Sequence, residues 1–290
     1  MFLDSRAVVL ANELAAALRS RDTQSALEYL RELERTGPDH PSLPALATLT
    51  GALARWQVRS GDISAIADAV TRLQNEIGPA AESALGAEAR AFLNGFYREL
   101  AAAAIGLGYD PDNPTAHRAW LSLRCDELAV SEEAALSIPN WEATPDALRW
   151  LTVARHRLRG LEAARASLFW LAWCQPQSVG ALIAELGDEL LERDWRAFGF
   201  ACDWDEVPEH ELPAWFPAWY VLEHPAVCNQ LADMTFPDGA APAAVSLLLR
   251  LFALERQGNT KALIAQRERL RDLNQTLFGL YMRRRAVQHP

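Results

Sequence analysis

Two stretches of the sequence decide the predicted fold. Residues 19–38 read RSRDTQSALEYLRELERTGP, and residues 59–79 read RSGDISAIADAVTRLQNEIGP. Each stretch opens with Arg-Ser-x-Asp and closes with Gly-Pro, which typically ends a helix. At an offset of forty residues the apolar positions also correspond: Ala26 falls on Ile66, Leu30 on Val70, and Leu33 on Leu73. Because the match covers a turn and the helix after it, it predicts a repeated helix hairpin.

Helical patterns flank both stretches. Ser5 can cap a helix that runs to about Arg19 and carries apolar residues on one face: Val8, Leu10, Ala11, Leu14 and Leu18. The first stretch then gives a helix that ends at Gly37-Pro38. A third helix is predicted over about 42–58, and a fourth that ends at Gly78-Pro79.

The same plan returns later in the chain. Arg159-Gly160 separates a helix that begins near Thr144-Pro145 from a second helix. That second helix spaces Ala164, Leu168, Leu171 and Pro176 as the first repeat spaces Ala26, Leu30, Leu33 and Pro38. Near the C-terminus, Gln257-Gly258-Asn259 separates the helix of Leu247 to Leu254 from one that carries Ala262, Leu263 and Leu270. The sequence thus predicts roughly four hairpins over about half of the chain.

These hairpins resemble tetratricopeptide-like repeats. In that family helix A ends at a small turn residue, and helix B offers a small residue, two larger apolar residues and a terminal proline. The family's aromatic and glycine positions on helix A are mostly absent here, since Leu10, Leu14 and Ala17 occupy the first unit. The resemblance implies an all-α, α-α superhelix with a concave binding surface. A related α-solenoid or an irregular helical array stays open.

Three regions are predicted along the chain: N-terminal hairpins over 1–105, a connecting helical insertion over 106–143, and C-terminal hairpins over 144–290. The insertion is expected to hold a helix over about 115–129 and a short helix capped by Ser131. Within the last region, 199–240 is irregular, and its prolines are expected to restart short helices: Pro208, Pro213, Pro217, Pro225 and Pro237.

Composition excludes several classes of function. Half of the residues are hydrophobic, and the net charge of −10 disfavours nucleic-acid and anionic-membrane binding. The longest apolar stretch, 244–254, contains Arg250 and is too short to span a bilayer. The four cysteines form no Cys-x-x-Cys pair and the N-terminus has no apolar signal segment, so a cytoplasmic location is expected. Arginine supplies nearly all positive charge, a bias typical of bacteria with GC-rich genomes.

Aromatic and acidic residues concentrate between 170 and 220, and this region is the predicted partner-binding surface. Tryptophan is frequent at interface hot spots, and an acidic surface complements a basic partner. The predicted binding residues are Trp170, Trp173, Asp203, Asp205, Glu206, Trp215 and Trp219. The leading hypothesis is therefore a non-catalytic interaction or scaffold protein that binds a protein or peptide segment. Because the predicted surface is acidic, a basic segment would be favoured. The hypothesis predicts no cofactor.

Two alternatives remain from the sequence. One is an enzyme, ligand-binding or metal-binding protein with a pocket in 199–240, where His210 and His224 would titrate; Cys202, Asp203 and Asp205 would complete a metal site. The other is a structural subunit of a larger assembly that docks through its last helix. This C-terminal region carries arginines at 267, 269, 271 and 283–285. Cations are favourable at the C-terminal end of a helix dipole, and they could instead form a tail that contacts phosphate. No nucleophile elbow or phosphate-binding loop is present.

Overall fold

The computed structural model describes residues 6–201, 204, 207–258 and 260–288, and within these ranges it contains helices and no strand. The predicted all-α class is confirmed. The chain divides into two compact units, Met1–Ile138 and Pro139–Pro290. Most of the predicted connecting segment, 106–138, belongs to the first unit. The superhelical arrangement of tetratricopeptide-like proteins stays a prediction.

The first unit is built from α1 to α8. Their bounds are α1 Arg6–Arg19, α2 Thr23–Thr36, α3 Leu43–Arg55, α4 Ile63–Arg72, α5 Gly78–Leu85, α6 Ala89–Ala103, α7 Arg118–Arg124 and α8 Leu128–Leu136. Consecutive helices pack as hairpins at α1–α2, α5–α6, α6–α7 and α7–α8. Their apolar faces form one core within the unit.

The forty-residue correspondence holds at the level of individual contacts. Asp22 accepts a hydrogen bond from the Ser25 amide at 3.1 Å, and Asp62 accepts one from the Ala65 amide at 3.0 Å. Both aspartates therefore cap their helices. The paired apolar positions Ala26/Ile66 and Leu33/Leu73 are buried. The Ser5 cap lies outside the described residues.

Gly78-Pro79 does not end the fourth helix, so that expectation is wrong. A π-helical segment, Leu73–Ile77, joins α4 to α5, and the Gly78 amide donates to the Leu73 carbonyl. A π turn holds one extra residue, which relieves the clash between the ring of Pro79 and the carbonyls of the preceding turn. As a consequence, α3 packs on α5 and this π segment, which changes the predicted pairing of α3 with α4.

The predicted helix over 115–129 is also wrong, because the chain turns at Asp126 with a left-handed φ of 62°. The helix α7 starts at a cap formed by His117, whose Nδ1 accepts from the Ala119 amide at 3.2 Å. Burial lowers the pKa of His117 to about 4, which keeps the ring neutral and able to accept. Ser131 does not cap a helix: it is buried within α8, and its hydroxyl donates to the Ala119 carbonyl at 2.8 Å.

The second unit is built from α9 to α16. Their bounds are α9 Pro145–Arg159, α10 Leu161–Cys174, α11 Val179–Leu186, α12 Glu189–Phe200, α13 Phe216–Glu223, α14 Ala240–Gln257, α15 Thr260–Leu273 and α16 Gln275–Gln288. The hairpins α9–α10 and α14–α15 form where they were predicted. Each turns at a glycine with positive φ, Gly160 at 79° and Gly258 at 69°.

Three of the five prolines of the irregular segment restart short helices, as expected, whereas Pro208 precedes a turn and Pro237 lies in the loop before α14, so the expectation is wrong for these two. Pro213 lies in the 3₁₀ helix Leu212–Trp215, Pro217 in the first turn of α13, and Pro225 in the 3₁₀ helix Pro225–Asn229. Between them, Phe216 is fully buried at the centre of an aromatic core. Its ring lies 5.1 to 6.1 Å from those of Trp195, Phe198, Tyr220 and Trp219.

None of the helices within the described ranges combines the length and the apolar character needed to cross a bilayer.

Candidate functional site

A cavity of about 380 Å³ opens in the second unit between three pieces of chain. The C-terminal end of α10 forms one wall, and the 3₁₀ helix Leu212–Trp215 forms another. The loop over 237–239 and the first turn of α14 close the third side. Six of the lining residues define its chemistry: Glu142, Trp170, Trp173, Glu211, Trp215 and Asp238.

Tryptophan rings form the apolar walls. Trp170 and Trp173, three residues apart on α10, are half-buried, with ring centroids 6.1 Å apart and planes inclined by 69°. Trp215 is only 7% exposed and packs against Trp204 at 6.3 Å. The indole nitrogen of Trp173 is buried without a hydrogen-bond partner. The cavity therefore presents aromatic surface with few polar groups to satisfy a polar ligand.

Prolines and small residues complete the lining. Pro176 follows the end of α10, and Pro237 and Pro242 flank the start of α14. Proline restricts the backbone of these three segments, so the walls contain little chain that can collapse inward. The cavity is accordingly held open by the ends of helices.

The charged residues of the lining are carboxylates. Glu142, Glu211 and Asp238 contribute to the cavity, and among the described residues no arginine, lysine or histidine lines it. Glu142 and Asp238 make no ion pair with the described part of the chain. The carboxylate of Glu211 lies 3.6 Å from His210 Nε2, on an exposed histidine. The rim thus carries negative charge that the surrounding protein largely leaves uncompensated.

Other carboxylates of the acidic region have structural partners. Glu185 accepts from Arg149 at 2.6 Å. Asp188 caps α12 through the amides of Leu190 and Leu191, and Asp194 lies 2.8 Å from His224 Nε2. These pairs stabilise the unit, so the acidic run over 185–211 is not one continuous binding surface.

Asp188 shows how strongly such a carboxylate is held. Burial, the largest influence, raises its pKa. The Leu191 amide, the His156 ring at 3.2 Å and the Leu190 amide together outweigh burial and hold the pKa of Asp188 below its ordinary value. The charged form is thereby stabilised at neutral pH.

Cys174 lies at the end of α10 on the cavity wall. Its Sγ lies 3.5 Å from the Ala143 carbonyl, and partial burial raises the pKa of the thiol above its ordinary value. A protonated thiol is a poor nucleophile, so this cysteine is not set up for covalent chemistry. It does provide an exposed position that a reagent can reach.

Three of the seven predicted binding residues meet at this cavity: Trp170, Trp173 and Trp215. Trp219 does not line it. That residue is 4% exposed and packs on Phe198 and Phe216, because the 3₁₀ helix that holds Trp215 changes to α-helix at residue 216. Asp203, Asp205 and Glu206 lie outside the described residues.

Glu142 and Asp238 were missed by the sequence analysis. The carboxylate of Glu142 reaches the cavity because α9 and α10 are antiparallel, which brings the start of one helix beside the end of the other. The predicted turn at Gly160 and the predicted helix end at Pro176 already indicated this antiparallel pairing. Asp238 had no comparable signal, since its loop is positioned by tertiary packing alone.

The histidines proposed for a metal or catalytic pocket do not line the cavity. The His210 side chain is 80% exposed, and the His224 ring packs on Tyr220 at 4.4 Å while it pairs with Asp194. No group of histidine, cysteine or carboxylate side chains suited to a metal ion occurs among the residues described. Cys202, Asp203 and Asp205 lie outside them.

The last helix packs within its own unit. Leu277 and Tyr281 of α16 are fully buried. Arg285 lies 3.1 Å from Glu255, and Arg284 lies 3.3 Å from Glu223. The main apolar residues and two of the three terminal arginines are thus used inside the chain, which disfavours α16 as a free docking element.

No family model, curated protein or solved structure matches this chain. The function is therefore inferred from the cavity and its chemistry.

Proposed function

We propose that this is a non-catalytic binding protein that receives a cationic side chain of a partner's peptide segment in the cavity of the second unit. The observation that carries the proposal is the combination of half-buried tryptophans with carboxylates and no cation in one lining.

Size and shape support a binding role. The volume of about 380 Å³ lies within the range of small-ligand pockets, about 300–1,000 Å³. That space accommodates one long side chain and part of its backbone, in keeping with a short segment. The walls come from helix ends and 3₁₀ turns, so the site is largely formed before a partner arrives.

Charge selects the occupant. A basic side chain in the cavity would face Glu142, Glu211 and Asp238 and would meet no like charge in the lining. The aromatic faces add cation–π attraction of about 0.5–2 kcal/mol. An acidic segment would meet only repulsion and desolvation. The lining thus supports the basic partner that the sequence analysis favoured.

Titration with short capped peptides tests this proposal. Peptides of one neutral Gly-Ser background would carry a central basic, leucine or glutamate residue, and isothermal titration calorimetry would measure binding. We expect the basic peptides to bind and the other two to bind at least about tenfold more weakly. Equal binding of the glutamate peptide, or no binding by any basic peptide, would contradict the proposal.

Two pairs of variants locate the site. Trp170→Ala should abolish most of the binding, whereas Trp120→Ala, which removes a half-buried tryptophan of the first unit, should not. Glu142→Gln should weaken binding, whereas Glu209→Gln, at an exposed carboxylate near the rim, should have little effect. Equal effects within either pair would place binding elsewhere.

Cys174 supplies an independent readout. Maleimide labelling at mildly alkaline pH, followed by peptide-mapping mass spectrometry, reports its accessibility. A bound basic peptide should slow labelling of Cys174, because the thiol lies on the cavity wall. Unchanged labelling at saturating peptide would show that the peptide binds at another surface.

A further inference from the structure

Resting on the proposed function, we infer that the cavity selects an arginine side chain over a lysine side chain. The inference comes from the largely apolar lining of the cavity, together with the ring, guanidinium and carboxylate arrangements that occur elsewhere in this chain.

Several described aromatic rings of this protein are covered by an internal guanidinium. Arg21 Cζ lies 4.4 Å above the centroid of Phe96, and its Nη2 donates to Glu99 at 2.5 Å. Arg267 Cζ lies 5.5 Å from the centroid of Tyr281, and its Nη2 lies 3.6 Å from Glu255. Each arrangement has three parts: a ring, a guanidinium on the ring and a carboxylate on the guanidinium.

The first two parts, a ring and a guanidinium packed on it, recur at other rings. Arg124 lies 5.5 Å from the Tyr97 ring and 5.7 Å from the Trp120 ring. Arg165 lies 5.6 Å from the Tyr220 ring. These side chains pack flat, weakly hydrated cations on aromatic faces, which a compact ammonium group cannot do as well.

The cavity holds two of the three parts. Trp170 and Trp173 offer half-buried rings, and Glu142 and Asp238 offer carboxylates without an ion-pair partner in the described chain. The described part of the lining contributes no guanidinium. A partner's arginine would supply the missing part.

Desolvation separates arginine from lysine at this site. Indole faces, prolines and alanines make up most of the lining, so an entering ammonium group loses water that these surfaces do not replace. A guanidinium is more weakly hydrated, stacks on the rings and can donate two parallel hydrogen bonds to one carboxylate.

Three capped peptides of one sequence, with a central arginine, lysine or citrulline, test the inference by isothermal titration calorimetry. Citrulline keeps the planar shape of arginine and lacks its charge. We expect the arginine peptide to bind about tenfold more tightly than the lysine peptide and more tightly still than the citrulline peptide. The double variant Glu142→Gln/Asp238→Asn should remove most of the difference between arginine and citrulline.

The outcomes are distinguishable. Equal affinity for arginine and lysine overturns the selectivity and leaves the proposed function standing. Equal affinity for arginine and citrulline would show that charge is not recognised, and absence of binding by all three peptides would show that the cavity does not receive such side chains; either result overturns both proposals. Circular dichroism of each variant confirms that it is folded, and Glu209→Gln/Asp233→Asn, at exposed positions outside the lining, is the matched charge control.

Discussion

The two units use the same aromatic chemistry to different ends. In the first unit, Trp56, Phe92 and Phe96 pack edge to face at 4.6 and 5.1 Å, and Arg21 covers the cluster from outside. In the second unit, Trp170 and Trp173 pack edge to face at 6.1 Å beside an open cavity. The comparison separates a ring cluster that the chain covers with its own arginine from a ring pair that it leaves beside an open cavity.

The two units differ in how regular their helix packing is, and this explains why only the second unit leaves tryptophans beside the cavity described above. Consecutive hairpins of the first unit bury their apolar faces against one another. The π segment Leu73–Ile77 allows the helix to continue past Pro79. Prolines of the second unit restart short helices at new angles, as at Pro213 and Pro217. Short elements with different directions cannot all pack side by side, and the space between their ends becomes the cavity.

The largest expected effect separates the two kinds of aromatic residue. Phe96→Ala empties a fully buried site and should lower the free energy of unfolding by about 3–5 kcal/mol. Trp170→Ala removes a half-buried ring at the cavity and should cost well under half of that. Urea unfolding followed by far-ultraviolet circular dichroism measures both. Equal costs would show that Trp170 is a core residue, and the comparison would fail.

The sequence predicted those parts of the molecule that depend on local signals. The helices α2 and α4, the turn at Gly160 and the tryptophans of α10 all follow from residues close in the chain. Local signals also misled where two of them conflicted. Gly78 carried a stop signal, yet the burial of Leu73 and Ile77 favoured continuing the helix.

The candidate site was less predictable, because most of its chemistry comes from distant segments. From the sequence, Trp215 and Trp219 were predicted to lie on one binding surface. A change of helix type between them places Trp215 at the cavity and Trp219 in the core. Glu142 and Asp238 join the lining only when α9, α10 and α14 have packed. The composition was sufficient to locate the aromatic region. The carboxylates at its edge are identified only from the packing of the helices.

A second test asks how far the regularity of the first unit depends on its π turn. A Cβ at Gly78 would lie 2.9 Å from the Leu73 carbonyl oxygen, whereas a Cβ at Gly279 in α16 meets nothing within 4 Å. Gly78→Ala should therefore destabilise the protein by about 1–3 kcal/mol. Gly279→Ala should stabilise it by about 0.5–1 kcal/mol, because alanine restricts the unfolded chain.

Thermal unfolding of both glycine variants gives the comparison directly. A neutral Gly78→Ala variant would show that the π turn relaxes without cost. The stability of the first unit would then not depend on the continuity of α4 with α5.

The smallest expected effect tests whether acidic residues of the second unit divide into structural and cavity-facing groups. Asp188 is held charged by two amides and His156, so its pKa is below that of the unfolded chain. Its contribution to stability is therefore present above the unfolded pKa of about 4 and is lost as the pH falls through the folded pKa. Asp188→Asn retains a capping side chain and removes the charge, so it should cost about 0.5–1 kcal/mol at pH 7 and progressively less in acid. Urea unfolding across this pH range, with the exposed Asp233→Asn as control, measures the difference. If wild type and Asp188→Asn lose stability in parallel on acidification, the charge of Asp188 does not stabilise the fold, and its assignment to the structural carboxylates is wrong.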